Sequence, residues 1–189
     1  MNAKRQELTI LFCDLLGSTA FTEQLSLEDF MQLMQSYHRC VYQSVASKYG
    51  YVAQHLGDGV MAYFGYPTSF KLAPRNAILA GLALLEDIKE ISNQSVVEYN
   101  LELKIRISIH TGTVVMADLG IGKRKEHLAL GGTPNIAARL QGISTANSVV
   151  VSATTYALTK DFFEFQHLGK FGLKGITEQM DVYMPAESR

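Results

Sequence analysis

Two short β-rich runs, YVAQHL at 51–56 and VMAYFGY at 60–66, flank Gly57-Asp58-Gly59, and few patterns restrict a chain more than this one. Glycines on both sides of a turn aspartate allow the positive φ angles of a tight hairpin, so the two runs are expected to pair as antiparallel strands. A sheet is therefore required, and Asp58 sits at one of its ends. A second run, ELTILFCD at 7–14, is rich in β-formers, ends on Asp14 and runs into LLGST, which reads as a buried strand leading into a glycine turn.

Between these strands lies a helical pattern. From Ser26, where S-L-E-D resembles an N-terminal capping arrangement, Phe30, Leu33, Met34, Tyr37, Val41 and Val45 recur at helical spacing until Gly50. A second amphipathic helix is expected over Asn76–Ile91, after a loop holding Pro67 and Pro74. Strands are expected at Leu101–Ile109 and, beyond Gly112, at Thr113–Ala117, and a short helix at Asn135–Leu140. Further strands fall at Ser148–Val151 and Glu178–Met184, with Ala153–Leu158 helical and LGKFGLKGI an irregular loop. The order strand, helix, hairpin, helix, strand is that of an α+β ferredoxin-like βαββαβ core with strand and helix additions on its C-terminal side. No composition break divides residues 1–189, which read as one domain, and the polar PAESR end reads as the start of a linker to further modules.

Composition excludes several classes. A net charge of −1 lacks the basic excess of a phosphate-backbone binder, so nucleic acid is not an expected partner. Apolar runs reach only about five residues, against the roughly 20 that span a bilayer, and MNAKRQELTI has no signal-peptide core. Direct membrane insertion is not expected, and the location expected is cytoplasmic. Cys13 and Cys40 read as reduced core thiols. The five histidines show no zinc-site spacing, and His55 and His110 read as packed or edge residues. The charged run GKRKE at 122–126 reads as a solvated loop.

Chemistry centres on the two aspartates. In a β–α–β–β unit the end of the first strand and the tip of the hairpin can lie side by side. Two carboxylates brought together repel unless a hard cation such as Mg²⁺ or Mn²⁺ joins them. Two such ions could activate a hydroxyl and neutralise a triphosphate, although aspartate is also a common turn residue. Gly17, Ser18 and Thr19 would offer backbone N–H groups to triphosphate oxygens at a helix start, or simply form a capped glycine turn.

The motifs FCDLLGST, YVAQHLGDGVMAYFG, IRISIHTG, GGTPNIAARLQ and LKGI occur in the order found in class III adenylate and guanylate cyclases, and the resemblance covers nearly the whole chain. It is nearest to bacterial cyclase homology domains. The resemblance implies that Asp14 and Asp58 hold two divalent cations, Mg or Mn, with a backbone carbonyl from Leu15. It implies that Arg106 and Lys174 contact the triphosphate, beside the N–H groups that end at Thr19, that Asn135 positions the ribose, and that Arg139 stabilises charge on the α-phosphate. Asn135 and Arg139 are four apart, which puts both on one face of a helix. Because in the resembled family one subunit supplies the metal aspartates and its partner the Asn–Arg pair and the loop lysine, the resemblance implies a homodimer or a cyclase-domain partner.

Purine choice in this family rests on two positions, and both depart here. Gln54 stands where adenylate cyclases usually have lysine, and Leu128 where they usually have aspartate or threonine. A shift in the EHLALGG segment would put His127 or Glu126 in the second place. ATP is the favoured nucleoside triphosphate on family frequency, with a relaxed or guanylate specificity, or a catalytically weak nucleotide-binding regulatory domain, as the alternative. No GGDEF-type sequence and no aromatic RNA-binding strand motif is present.

Overall fold

The computed structural model describes residues 4–119, 126–176 and 178–186. In chain order it forms β1 (Lys4–Leu15), α1 (Ser18–Gln24), α2 (Leu27–Ser47), β2 (Gly50–Leu56), β3 (Gly59–Phe64), α3 (Ala73–Tyr99) and β4 (Ile105–Leu119). There follow β5 (Glu126–Leu130), α4 (Gly132–Leu140), β6 (Ser148–Ser152), α5 (Ala153–Thr159), β7 (Phe165–Phe171) and β8 (Met180–Pro185). The sheet runs β2-β3-β1-β4-β6-β8-β7, with β5 paired to the far end of β4. Its first four strands are antiparallel neighbours with the ferredoxin-like order, and β6 extends them by pairing parallel to β4. The fold is thus the expected α+β core with C-terminal additions.

β1 is central and covered on both faces, which explains its nearly unbroken apolar run. Leu11, Cys13 and Leu15 turn towards α2 and α3, where Leu33, Tyr37, Val41 and Val45 of α2 meet Ile78, Leu84 and Ile88 of α3. Leu8, Ile10 and Phe12 turn the other way, against Met61, Tyr63, Val114, Met116 and Ala137 of α4. Each such buried aliphatic or aromatic side chain contributes about 1.5–3 kcal/mol relative to exposure. Asp14 follows the even-numbered positions and so emerges on the α4 side of the sheet.

α2 begins as its sequence indicates: the Ser26 hydroxyl accepts the Asp29 N–H at 3.1 Å. Four other elements differ from expectation. α3 starts earlier because Pro74 fits its first turn, and continues to Tyr99, where Asn100 stops it in a left-handed conformation at φ 54°. The two strands expected on either side of Gly112 are one strand, β4, starting only at Ile105. Gly112 serves close approach rather than a turn, since a Cβ there would lie 2.7 Å from Thr133 Oγ1 on α4. EHLAL forms β5, and the LGKF part of the supposed loop belongs to β7, paired with β8. Most of the GKRKE run, residues 122–125, lies outside the described residues. Among the described residues no helix is long and apolar enough to cross a membrane.

Candidate active site

Register brings the two aspartates together. Cys13 pairs with Val60 across β1 and β3, so the next residue, Asp14, arrives beside Gly59 at the hairpin tip. A Cβ at Gly59 would lie 3.7 Å from Asp14 Oδ1, and Asp58 is the adjacent residue.

Both carboxylates are anchored through one oxygen. On the other side of β1, Asp14 pairs with Arg106 of β4, whose Nε and Nη2 donate to Asp14 Oδ2 at 3.0 and 2.7 Å. The pair is half-buried, with side chains 21% and 32% exposed for Asp14 and Arg106, so it is less screened than a surface ion pair. Ser18 donates its hydroxyl to Asp58 Oδ2 at 2.5 Å, connecting α1 to the hairpin. α1 itself starts after Gly17, left-handed at φ 73° with no side-chain cap, and Thr19 is exposed within its first turn. Beneath the site the Tyr37 hydroxyl and Cys13 Sγ are 3.4 Å apart. Burial pushes the Cys13 thiol up to about 12 and drives the Tyr37 phenol strongly upward, so both remain protonated and neutral. Both cysteines are free and buried, as core thiols should be.

A cation fits this donor set. Asp14 and Asp58 supply carboxylate oxygens, and Arg106 and Ser18 engage only the Oδ2 atom of each. An all-oxygen set suits hard divalent ions. Among the described residues no group of three or more His, Cys, Asp or Glu side chains converges. Such a site would rest on two carboxylates, with further oxygens from backbone or substrate.

A second set of residues is carried by α4 and the segment before β8. α4 is held against the sheet by Ser108 Oγ donating to the Ala137 carbonyl at 2.7 Å, and by Thr133 Oγ1 donating to the Thr113 carbonyl at 2.7 Å. Ala137 is buried, which leaves Asn135 and Arg139 exposed, one helical turn apart. The Arg139 guanidinium lies against Gly175, where a Cβ would come within 3.4 Å of Nη2, so Arg139 and the exposed Lys174 share one region. Among the described residues no hydrogen bond or ion pair joins this set to Asp14, Asp58 or Arg106.

The two base-choice candidates lie on different strands, β2 and β5, which touch each other. Gln54 is half-buried at a bulge of β2, paired with Met61. On β5, His127 and Ala129 turn towards β2 and β3: the His127 ring is 6.3 Å from Tyr51 and 5.5 Å from Tyr66, and Ala129 N donates to Tyr63 Oη at 3.1 Å. Leu128 alternates to the opposite side. Asp118, whose Oδ1 is 2.6 Å from His127 Nδ1, fixes that ring. His110 is buried with Nδ1 2.7 Å from Ser152 Oγ, and His55 is exposed with its ring edge-on to His38 at 4.9 Å. Sequence reading missed the Ser18–Asp58 and Arg106–Asp14 contacts, because both depend on how distant strands align.

Residues 1–186 match the family of adenylate and guanylate cyclase catalytic domains. The chain is 31% identical over 183 residues to Adenylate cyclase 1 of Rhizobium meliloti, covering 96% of this chain and 28% of that protein. It therefore spans little more than a quarter of the length of this relative. The adenylyl cyclase CyaB from P. aeruginosa superposes with a TM-score of 0.95 at 28% identity, covering 100% of this chain and 98% of that one. The guanylyl cyclase Cya2 superposes with a TM-score of 0.94 at 25% identity, covering 100% and 96%. With match, fold and motif positions in agreement, the chain belongs to the adenylate and guanylate cyclase catalytic domain family and is a class III nucleotide cyclase domain.

Proposed function

We infer that two copies of this chain bind ATP at their shared interface and convert it to 3′,5′-cyclic AMP and pyrophosphate. The observation that carries this is the pairing of Asp14 with the Asp58 hairpin, each carboxylate anchored through Oδ2, while Asn135, Arg139 and Lys174 are exposed and share no hydrogen bond or ion pair with them among the described residues. A second copy would bring its exposed set to the first copy's aspartates. The unit would act as one catalytic module of a longer protein, as its partial coverage of Adenylate cyclase 1 suggests.

Asp14, Asp58 and the Leu15 carbonyl would hold two divalent cations, Mg or Mn, which when bound lower the pKa of the ribose 3′-hydroxyl and offset triphosphate charge. Arg106 and the N–H groups at Gly17–Thr19 orient the phosphates, a task suited to the rigid donor fork of arginine. Asn135 of the second copy holds the ribose, and its Arg139 faces the charge that develops on the α-phosphate. Lys174 reaches the terminal phosphates. No side chain is assigned as general base.

ATP is favoured because Adenylate cyclase 1 and CyaB are both adenylate cyclases. A second reading, a guanylate or relaxed-specificity cyclase, is supported by Gln54 and Leu128 and by the similarity to Cya2. An apolar wall such as Leu128 discriminates by only about 1–3 kcal/mol, far less than a dedicated hydrogen bond. The test is to incubate the purified protein, at a concentration that allows dimers, with ATP, GTP, CTP and UTP and Mn²⁺ or Mg²⁺, identifying products by mass. Cyclic AMP as main product, lost in Asp14→Ala, is expected. No cyclic product from any nucleotide, with triphosphate binding retained, would instead indicate a regulatory nucleotide-binding domain.

A further inference from the structure

We propose that Asn147 is a positioning residue for the active site, acting through Ile105 and Arg106 on the carboxylate of Asp14. This rests on the cyclase reading above.

Asn147 stands immediately before β6 and adopts a left-handed backbone at φ 54°, a conformation that few residues besides glycine, asparagine and aspartate take readily. In that conformation it grips one residue twice. Its N–H donates to the Ile105 carbonyl at 2.6 Å, and its side-chain Oδ1 accepts the Ile105 N–H at 3.1 Å. Ile105 is the first residue of β4, and its side chain is fully buried among the α2 and α3 contacts. Strand alternation then turns Arg106 to the opposite face, where Asp14 lies.

The neighbouring connections converge on the same point. Leu16 N–H donates to the Lys104 carbonyl at 2.7 Å, so the end of β1 is tied to the residue just before Ile105. Arg106 pairs with Asp14 across one edge of β4 and with Ser148 across the other. Asn147 therefore fixes the end of β4 that carries Arg106. Arg106 directs its Nε and Nη2 donors to Asp14 Oδ2 and leaves Oδ1 towards Gly59 and the hairpin. If β4 frays at Ile105, the guanidinium is no longer held over one oxygen, and the orientation of Asp14 is lost with it.

The chemistry suggests a pair of variants. Asn147→Gly keeps the left-handed backbone but removes the acceptor. Asn147→Asp keeps both. Loss of a partner that hydrogen-bonds a metal ligand directly, as Arg106 does Asp14, usually costs about 10–100-fold, and Asn147 acts one step behind it. Asn147→Gly is expected to lower kcat/KM about tenfold or more, and Asn147→Asp to stay within about threefold of the parent. The loss from Asn147→Gly should largely disappear in an Arg106→Lys background, because both changes act on the same contact. Independently of turnover, amide hydrogen exchange at Ile105–Ile107 should accelerate in Asn147→Gly and not in Asn147→Asp. Multiplying losses in the double variant would overturn the proposal, as would equal impairment of Asn147→Asp and Asn147→Gly, or an Asn147→Gly protein as active as the parent while Asp14→Ala is inactive. Turnover that survives Asp14→Ala would remove the reading of the site itself, and this inference with it.

Discussion

The Ser18 hydroxyl donates to Asp58 Oδ2 at 2.5 Å, so the start of α1 and the tip of the β2–β3 hairpin are joined at the place where a cation would bind. A hydrogen bond to a charged group contributes about 1.5–3 kcal/mol. Ser18→Ala is expected to lower kcat/KM by about tenfold or more and to raise the Mg²⁺ concentration needed for half-maximal activity, whereas Ser18→Thr retains the donor and most of the activity. Steady-state rates over a Mg²⁺ titration check this. An alanine variant matching the parent at every concentration would show that Asp58 does not depend on Ser18.

Base preference should be adjustable at two positions. Gln54 can donate and accept, but Leu128 can only pack. Gln54→Lys combined with Leu128→Asp is expected to raise the ATP/GTP ratio of kcat/KM by about tenfold or more, since a hydrogen-bonding site rejects the wrong base more strongly than an apolar one. Rates with both nucleotides in competition give the ratio directly. An unchanged ratio would assign base choice to other residues, of which His127, facing Tyr51 and Tyr66, is the first to examine.

Stability should fall in mild acid because of His110. Burial lowers its pKa from 6.5 to about 4. The unfolded chain therefore binds a proton that the folded chain refuses between about pH 6.5 and pH 4. The associated stability is present above pH 6.5 and is lost as the pH falls towards 4, by at most a few kcal/mol. Urea midpoints at pH 7 and pH 5 measure the loss, and His110→Gln should reduce the difference between them. An equal difference in the variant would place the acid sensitivity elsewhere.

Local pattern made β1, α2 and the β2–β3 hairpin legible, because each announces itself within a dozen or two residues: alternation, a capping serine, a glycine-flanked turn. The order of those elements also placed Asp14 and Asp58 at comparable ends. What could not be read depends on partners distant in sequence. Gly112 looks like a strand break and is instead a contact point with Thr133 of α4. EHLAL was not recognisable as a strand until paired with the far end of β4, so the direction of Leu128 could not be derived from alternation. The Arg106–Asp14 ion pair follows from the β1–β4 register, which no local pattern records.

Gly112 offers its own test. An added methyl would sit 2.7 Å from Thr133 Oγ1 and 3.3 Å from His110 Nε2, and overpacking of this kind costs about 1–3 kcal/mol. Gly112→Ala should lower the urea midpoint accordingly. In a Thr133→Ala background the added cost of Gly112→Ala should shrink, because the clashing atom is gone. Equal costs in both backgrounds would mean that the glycine answers a backbone need instead.

The claim that one site is assembled from two copies is tested most directly by mixing inactive variants. Asp14→Ala lacks the carboxylate set, and Asn135→Ala with Arg139→Ala lacks the exposed set. Each protein alone should be nearly inactive. An equal mixture, dissociated and reassociated, should regain about a quarter of parental turnover per dimer, since half of the dimers are mixed and each of those holds one intact site of two. A mixture as inactive as its components, with mixed dimers demonstrated, would contradict the shared site and place the whole reaction within a single copy or with a different partner.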